Sequence, residues 1–138
     1  MPETVEIKIS AEPRLLKIVR LTVHYICELT GFSDDESNNI ILAVDEACSN
    51  IIKHAYESQS SQPIHIACNI FKDRLEILLR DFGKKANMDE IKSRELDDIR
   101  PGGLGVHLIK SIMDKVDYDN NVEIGNRLRL VKFIQKKD

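Results

Sequence analysis

No run of apolar residues in this chain approaches the roughly twenty that a membrane-spanning helix requires. The three cysteines, Cys27, Cys48 and Cys68, follow no zinc-ligand spacing and none neighbours another. They read as core residues, and redox chemistry has no support. Positive charge is not in surplus either. The formal net charge is −3, so a face built for nucleic acid has no electrostatic basis. Residues 1–10 alternate charged and apolar side chains and hold no signal-peptide core, so a soluble, cytoplasmic protein is expected. Internal repeats and low-complexity stretches are absent from the sequence.

The chain does have the means to fold. Its 138 residues are 42% hydrophobic and 31% charged, which suits one domain over residues 1–138 with a true core. Residues 5–9 alternate with period two and predict a strand. Pro13 opens an amphipathic helix carrying Leu15, Leu16, Val19, Val23, Ile26 and Cys27, and Gly31 ends it. Ser33 with Glu36 three residues on forms a capping box, opening a second helix that continues to Tyr56. After a polar turn, residues 64–71 and 75–80 predict strands joined by a short hairpin. Residues 84–101 are highly charged, with one weak helical stretch at 88–96. A helix over 103–114 and strands over 116–119 and 128–134, around a turn at Gly125-Asn126, complete the chain. No exposed apolar stripe is evident. The order β-α-α-β-β-(α)-α-β-β implies an α+β two-layer sandwich, with helices on one face of a mainly antiparallel mixed sheet.

Three segments carry chemistry. In Asp45-Glu46-Ala47-Cys48-Ser49-Asn50-Ile51-Ile52-Lys53-His54-Ala55-Tyr56, helical spacing puts Glu46, Asn50 and Lys53 on one polar stripe. Ile40, Val44, Cys48, Ile51 and Ala55 fall opposite. Asn offers a hard oxygen to Mg²⁺, which takes few protein ligands. A carboxylate one turn earlier can accept a proton from an attacking hydroxyl. Asp81-Phe82-Gly83 ends a strand, where an acid can accept a hydrogen bond from the exocyclic amine of adenine and a glycine permits close approach. Pro101-Gly102-Gly103-Leu104-Gly105-Val106-His107 puts glycines before a helix, so backbone amides can face an anion. Taken singly, each also fits a plain role: a solvated helix face, a turn after a strand, a flexible connector. His24, His65 and His107 read as structural or surface residues, and Tyr56 as a packing residue.

Together, in this order and spacing, the segments resemble the nucleotide-binding boxes of the GHKL ATP-binding superfamily, which spans gyrase-type ATPases, histidine kinases and mismatch-repair ATPases. The wording DEACSNIIKHAY, DFG and GGLGVHLIKSIMD is most similar to the bacterial anti-sigma-factor serine kinases. The resemblance implies Glu46 as general base and Asn50 as magnesium ligand, with Lys53 and His54 lining the triphosphate. It implies Asp81 as the adenine-reading acid, with Gly83 beside it. Gly102, Gly103, Leu104, Gly105 and Val106 would form the phosphate loop, and residues 84–101 a lid. Asn126 falls where a threonine near the adenine is frequent. Lys85 departs from the pattern, standing at the second glycine of D-x-G-x-G. The implied cofactors are ATP and Mg²⁺. The implied activity is phosphorylation of a STAS-domain antagonist on serine or threonine, with room left for a sigma factor as second partner and for a homodimer. The alternative is an ATP/ADP-binding switch that acts by partner binding with little kinase activity.

Overall fold

Alternation along the strands decides which way the sheet faces. The computed structural model describes residues 1–58, 61–86 and 104–135. Its strands are β1 (Glu3–Ser10), β2 (Pro63–Ile70), β3 (Arg74–Asp81), β4 (Lys115–Asp119) and β5 (Asn126–Phe133). They form one sheet in the order β1-β2-β3-β5-β4. Every described pairing is antiparallel, so the expected mixed sheet has no parallel pair among the described strands. Ile64, Ile66 and Cys68 of β2, Leu75, Ile77 and Leu79 of β3, and Leu128 and Leu130 of β5 are all buried. They make the face on which the helices lie.

Helix α1 (Leu16–Thr30) follows a single 3₁₀ turn that Pro13 begins. Gly31 ends it in the left-handed region, φ 101°, where a side chain is disfavoured. Helix α2 (Asp34–Asn50) starts with the expected capping box. The Glu36 amide donates to Ser33 Oγ at 3.2 Å, and the Ser33 amide donates to Glu36 Oε1 at 3.3 Å. Acidic residues in that first turn suit the positive end of the helix. Helix α3 (Leu104–Ile112) packs against α2, burying Ile109, with Met113 just beyond its end. The weak helical stretch at 88–96 lies outside the described residues.

Two expectations need correction. The second helix is not regular as far as Tyr56. After Asn50 it widens into a π-helical turn, Ile51–Ala55, in which the Tyr56 amide donates to the Ile51 carbonyl at 3.0 Å. The apolar stripe that was not evident in the sequence also exists. Ile18, Leu21, Tyr25 and Leu29 recur at helical spacing on α1 and are 51–62% exposed. Apolar residues occur all round α1, so the period alone could not say which of them face out. The cysteines do lie in the core. Burial pushes each thiol up to about 12, which keeps all three inert at neutral pH. No described helix is long and apolar enough to cross a membrane.

The outer face of the sheet carries a polar ladder that touches all five strands. Thr4 Oγ1 donates to Asn69 Oδ1 at 2.8 Å, and Asn69 Nδ2 donates to Glu76 Oε1 at 2.9 Å. Arg129 then bridges Glu76 (2.6 Å) and Asp117 (3.2 Å). Burial would raise the Glu76 carboxyl, but the Asn69 and Arg129 hydrogen bonds outweigh it and hold the group below its ordinary 4.5. A depressed carboxyl stabilises the fold above the ordinary value, and that contribution is lost as pH falls through the folded-state value. Glu76→Gln should therefore cost about 1 kcal/mol at pH 7, the scale of a part-exposed charged network. The gap should close on acidification. Urea unfolding of both proteins from pH 7 to pH 3 checks this, and a gap independent of pH would remove Glu76 from the ladder's energetics.

Candidate functional site

Asp81 is the last residue of β3 and continues its inward row, yet it is only 3% exposed. A carboxylate so placed must find partners. The residue directly opposite it across the β3–β5 ladder is Asn126. Asn126 Nδ2 donates to Asp81 Oδ1 at 3.1 Å, and the Gly83 amide donates to the same oxygen at 3.0 Å. Burial raises the Asp81 carboxyl above its ordinary 3.8, and the Gly83 and Asn126 hydrogen bonds and the Arg80 charge only partly offset this. Arg80 fixes the strand ends from the other face. Its guanidinium donates to the Asp81 carbonyl (2.6 Å) and the Asn126 carbonyl (3.1 Å) and lies over the Phe82 ring at 4.6 Å. His65 meets that ring edge-on at 5.1 Å, which suits the structural role expected of it.

Two glycines let the backbone close in around Asp81. A Cβ on Gly125, whose φ is +72°, would lie 2.1 Å from the Asp81 carbonyl oxygen. A Cβ on Gly83 would lie 2.3 Å from the Ala55 carbonyl oxygen and 2.7 Å from the Tyr56 ring. The space beside Gly83 is thus filled by the end of the α2 segment. The need for glycine there comes from the protein's own packing, where the sequence had suggested room for a base.

That contact joins the first two chemical segments. The Lys84 amide donates to the Ala55 carbonyl at 2.7 Å. Tyr56, 4% exposed, accepts from the Phe82 amide (2.8 Å) and donates to the Pro63 carbonyl (2.5 Å). Its hydroxyl is held above the ordinary 10.0, chiefly by burial, with the Asp81 charge adding to the effect. Tyr56 is therefore more than packing: it pins the turn after Asp81 to the helix that bears Glu46 and Asn50. Nothing in its sequence position signalled a bridging hydroxyl.

Glu46 and Asn50 sit one turn apart on α2 and are half-buried, as the polar stripe implied. Lys53 and His54 follow in the widened turn and are exposed. Asn50 Nδ2 is buried without a hydrogen-bond partner among the described residues. A buried amide in that condition is costly unless something else meets it. Arg20 of α1 pairs with Asp45, the neighbour of Glu46, at 2.7 Å, and so ties α1 to the same helix. Of the third segment, Gly102 and Gly103 lie outside the described residues, whereas Leu104, Gly105 and Val106 form the first turn of α3. Of residues 84–101, only 84–86 are described. A cavity of about 230 Å³ beside the junction is lined by Ala55, Tyr56, Gln62, Phe82 and Lys84 among others. None of Glu46, Asn50, Asp81 or Asn126 lines it, so it is separate from the polar cluster.

Asn126 is more fully engaged than its sequence position implied. Besides Asp81, its Nδ2 donates to the Lys84 carbonyl at 2.9 Å, and its Oδ1 accepts from the Ala86 amide at 2.7 Å. Lys85, Asn120 and Gly125 also belong to this corner; the sequence marked Lys85 only as a departure from the glycine pattern and gave Asn120 no part. Gly125-Asn126 was legible as a turn. What the turn packs against was not.

Comparison with known proteins gives the family. Residues 9–132 match the family described as Histidine kinase-like ATPase domain. A serine-protein kinase RsbW from Halalkalibacterium halodurans is 33% identical over 145 aligned residues, covering 99% of this chain and 87% of the relative. The serine-protein kinase RsbW of Bacillus subtilis is 32% identical, covering 85% and 78%. Among solved structures, the RsbU and RsbW domains of a Mycobacterium tuberculosis protein superpose with TM-score 0.66 at 12% identity. That match covers 97% of this chain and 33% of the other, and it speaks for the fold alone. With a family match over most of its length and curated relatives at this identity and coverage, the chain belongs to the histidine kinase-like ATPase domain family, as a GHKL-type serine-protein kinase of the RsbW kind.

Proposed function

We propose that this chain uses ATP with Mg²⁺ to phosphorylate a serine or threonine of a STAS-like antagonist protein, within a partner-switching pathway whose output includes a sigma factor. The observation that carries the reading is the junction just described. A buried acid is hydrogen-bonded through its own turn to the helix that bears a carboxylate and an amide one turn apart. In this reading Asp81 accepts from the adenine amine, and the first turn of α3 with the glycines before it lies along the phosphates. Lys53 and His54 line the triphosphate. Asn50 Nδ2, buried without a hydrogen-bond partner among the described residues, is a donor for a phosphate oxygen in this reading, and Oδ1 of the same amide would hold Mg²⁺. Mg²⁺, when bound, offsets the phosphate charge. Glu46 takes the proton of the acceptor hydroxyl. Phosphoryl transfer depends mainly on positioning and charge, so few residues suffice. The exposed row on α1 (Ile18, Leu21, Tyr25 and Leu29) supports a protein partner, a second copy of the chain included.

Asp81→Asn separates binding from folding. The substitution removes an acceptor for the adenine amine, so ATP affinity should fall by about 1–3 kcal/mol. It also removes a charge that burial disfavours, so the unliganded protein should melt no lower than wild type. Calorimetry and thermal denaturation read the two effects, and native affinity in the variant would take Asp81 out of the site. The same carboxyl predicts a pH dependence. The base amine needs the ionised acid, so affinity should decline as pH falls, starting above the range of an ordinary carboxyl because burial raises Asp81. In Asp81→Asn that decline should be absent.

Glu46→Gln should keep ATP affinity while losing transfer to the acceptor by roughly 10²–10⁴-fold, the scale of a lost general base. Transfer of radiolabelled γ-phosphate to a STAS-domain protein measures it. Binding of ATP with no transfer by the wild type to any such acceptor would favour the switch that acts by partner binding alone. Native turnover in Glu46→Gln would refute the base assignment.

A further inference from the structure

The position at which this chain departs from its family's glycine pattern is occupied by a side chain with a definite task. Lys85 Nζ donates to two carbonyls of the β4–β5 turn, those of Asn120 and Val122. Asn120 answers by donating its Nδ2 to the Ala86 carbonyl at 3.1 Å. The Ala86 amide in turn donates to Asn126 Oδ1. Residues 84–86 are therefore fastened on both sides: to the α2 segment through Lys84 and Ala55, and to the β4–β5 turn through Lys85, Ala86 and Asn120.

Asn126 stands between this fastening and Asp81. Both Nδ2 protons have acceptors, Asp81 Oδ1 and the Lys84 carbonyl, and Oδ1 already accepts from Ala86. Its donors are thus both committed within the protein, and it could donate to a base only by giving one of them up. What it does instead is hold one oxygen of Asp81 in a fixed direction. The Asn126 backbone amide also favours the ionised Asp81 carboxylate, and among the described residues Asp81 Oδ2 has a longer side-chain contact to Asn126 Nδ2, at 3.4 Å, so it is the oxygen with more capacity to accept from a ligand.

We infer that Lys85 and Asn126 are positioning residues for base recognition. Together they clasp residues 84–86 to the β4–β5 turn, and the clasp sets the orientation in which Asp81 presents its second oxygen. Neither need touch the nucleotide. A glycine in place of Lys85 would offer the turn carbonyls no such cation. The inference rests on the nucleotide-site reading given above and goes beyond it: Asn126 supports Asp81 where it had been placed against the nucleotide, and Lys85 supports it too.

The test compares ATP with inosine triphosphate, whose base has a carbonyl in place of the exocyclic amine. Asp81 cannot accept from that group, so only ATP affinity reports the orientation of Asp81. Lys85 is exposed, and Lys85→Met should fold normally. It should weaken ATP binding by about three- to ten-fold, the scale of one exposed hydrogen bond, and leave inosine triphosphate nearly unchanged. Lys85→Arg, which keeps a donor within reach of the turn carbonyls, should restore most of the ATP preference. Because both residues act on one segment, Lys85→Met combined with Asn126→Ala should be little worse than Asn126→Ala alone. An unchanged ATP-to-inosine preference in Lys85→Met, with the wild type binding ATP tightly, would overturn the clasp and leave the nucleotide site standing. Additive losses in the double variant would overturn it too, returning Asn126 to direct contact with the base. A wild type that binds neither nucleotide would overturn the site reading itself, and the inference with it.

Discussion

A carboxylate taken out of water must be met by donors, and the rest of this site is arranged around meeting one. Asp81 sits at the end of an inward row of aliphatic side chains, where the sheet would otherwise continue its apolar face. The antiparallel register puts Asn126 directly opposite, and one short turn brings the Gly83 amide back onto the same oxygen. These partners reduce the desolvation cost without cancelling it, so the group keeps a raised carboxyl and an oxygen with capacity to spare. A group that folding alone leaves incompletely satisfied is one that a ligand can satisfy. Such groups concentrate at functional sites for that reason.

The elements were legible where a local rule operates. Gly31 as terminator, Ser33 with Glu36 as capping box, and the period-two strands all follow from chemistry confined to a few neighbouring residues. The places of Asp81 at a strand exit and of Glu46 and Asn50 one turn apart on a helix were legible too, from the same periodicities. What escaped is non-local. Gly83 and Gly125 are both explained by backbone that arrives from distant parts of the chain. Tyr56 and Lys85 act through carbonyl groups that no side-chain pattern encodes. The exposed row on α1 was hidden for a different reason, since a helix apolar on more than one side gives no unique inward face.

Lys85 shows how a departure from a family pattern can be compensated within the same corner. A glycine at that position supplies backbone freedom. A lysine supplies reach and charge, and here both are used on the carbonyls of the opposing turn. The change trades conformational freedom after Asp81 for a fixed course through residues 84–86. In the proposed site such rigidity would favour base recognition, because an acceptor held in one orientation loses less entropy when the ligand arrives.

The irregular end of α2 is the remaining piece, and it is tied to the same constraint. A regular α-helix through Tyr56 would leave its last carbonyls facing the next turn of helix. Instead the hydrogen bonding widens immediately after Asn50, and the next residues to be engaged are Ala55, by the Lys84 amide, and Tyr56, by the Phe82 amide. Widened turns of this kind are uncommon and are found most often at functional sites. Here the reason is visible in the partners. The turn following Asp81 must lie against the helix end closely enough that Gly83 has no space for a Cβ, and the helix must accept two of that turn's amides. Outward from Asp81, the acid fixes its turn, the turn fixes the end of α2, and α2 fixes the spacing of Glu46 and Asn50 from Asp81. The separation between Asp81 and the Glu46–Asn50 pair is thereby set by one backbone hydrogen bond, Lys84 to Ala55, and by the buried Tyr56 hydroxyl, neither of which a side-chain substitution at the surface readily moves.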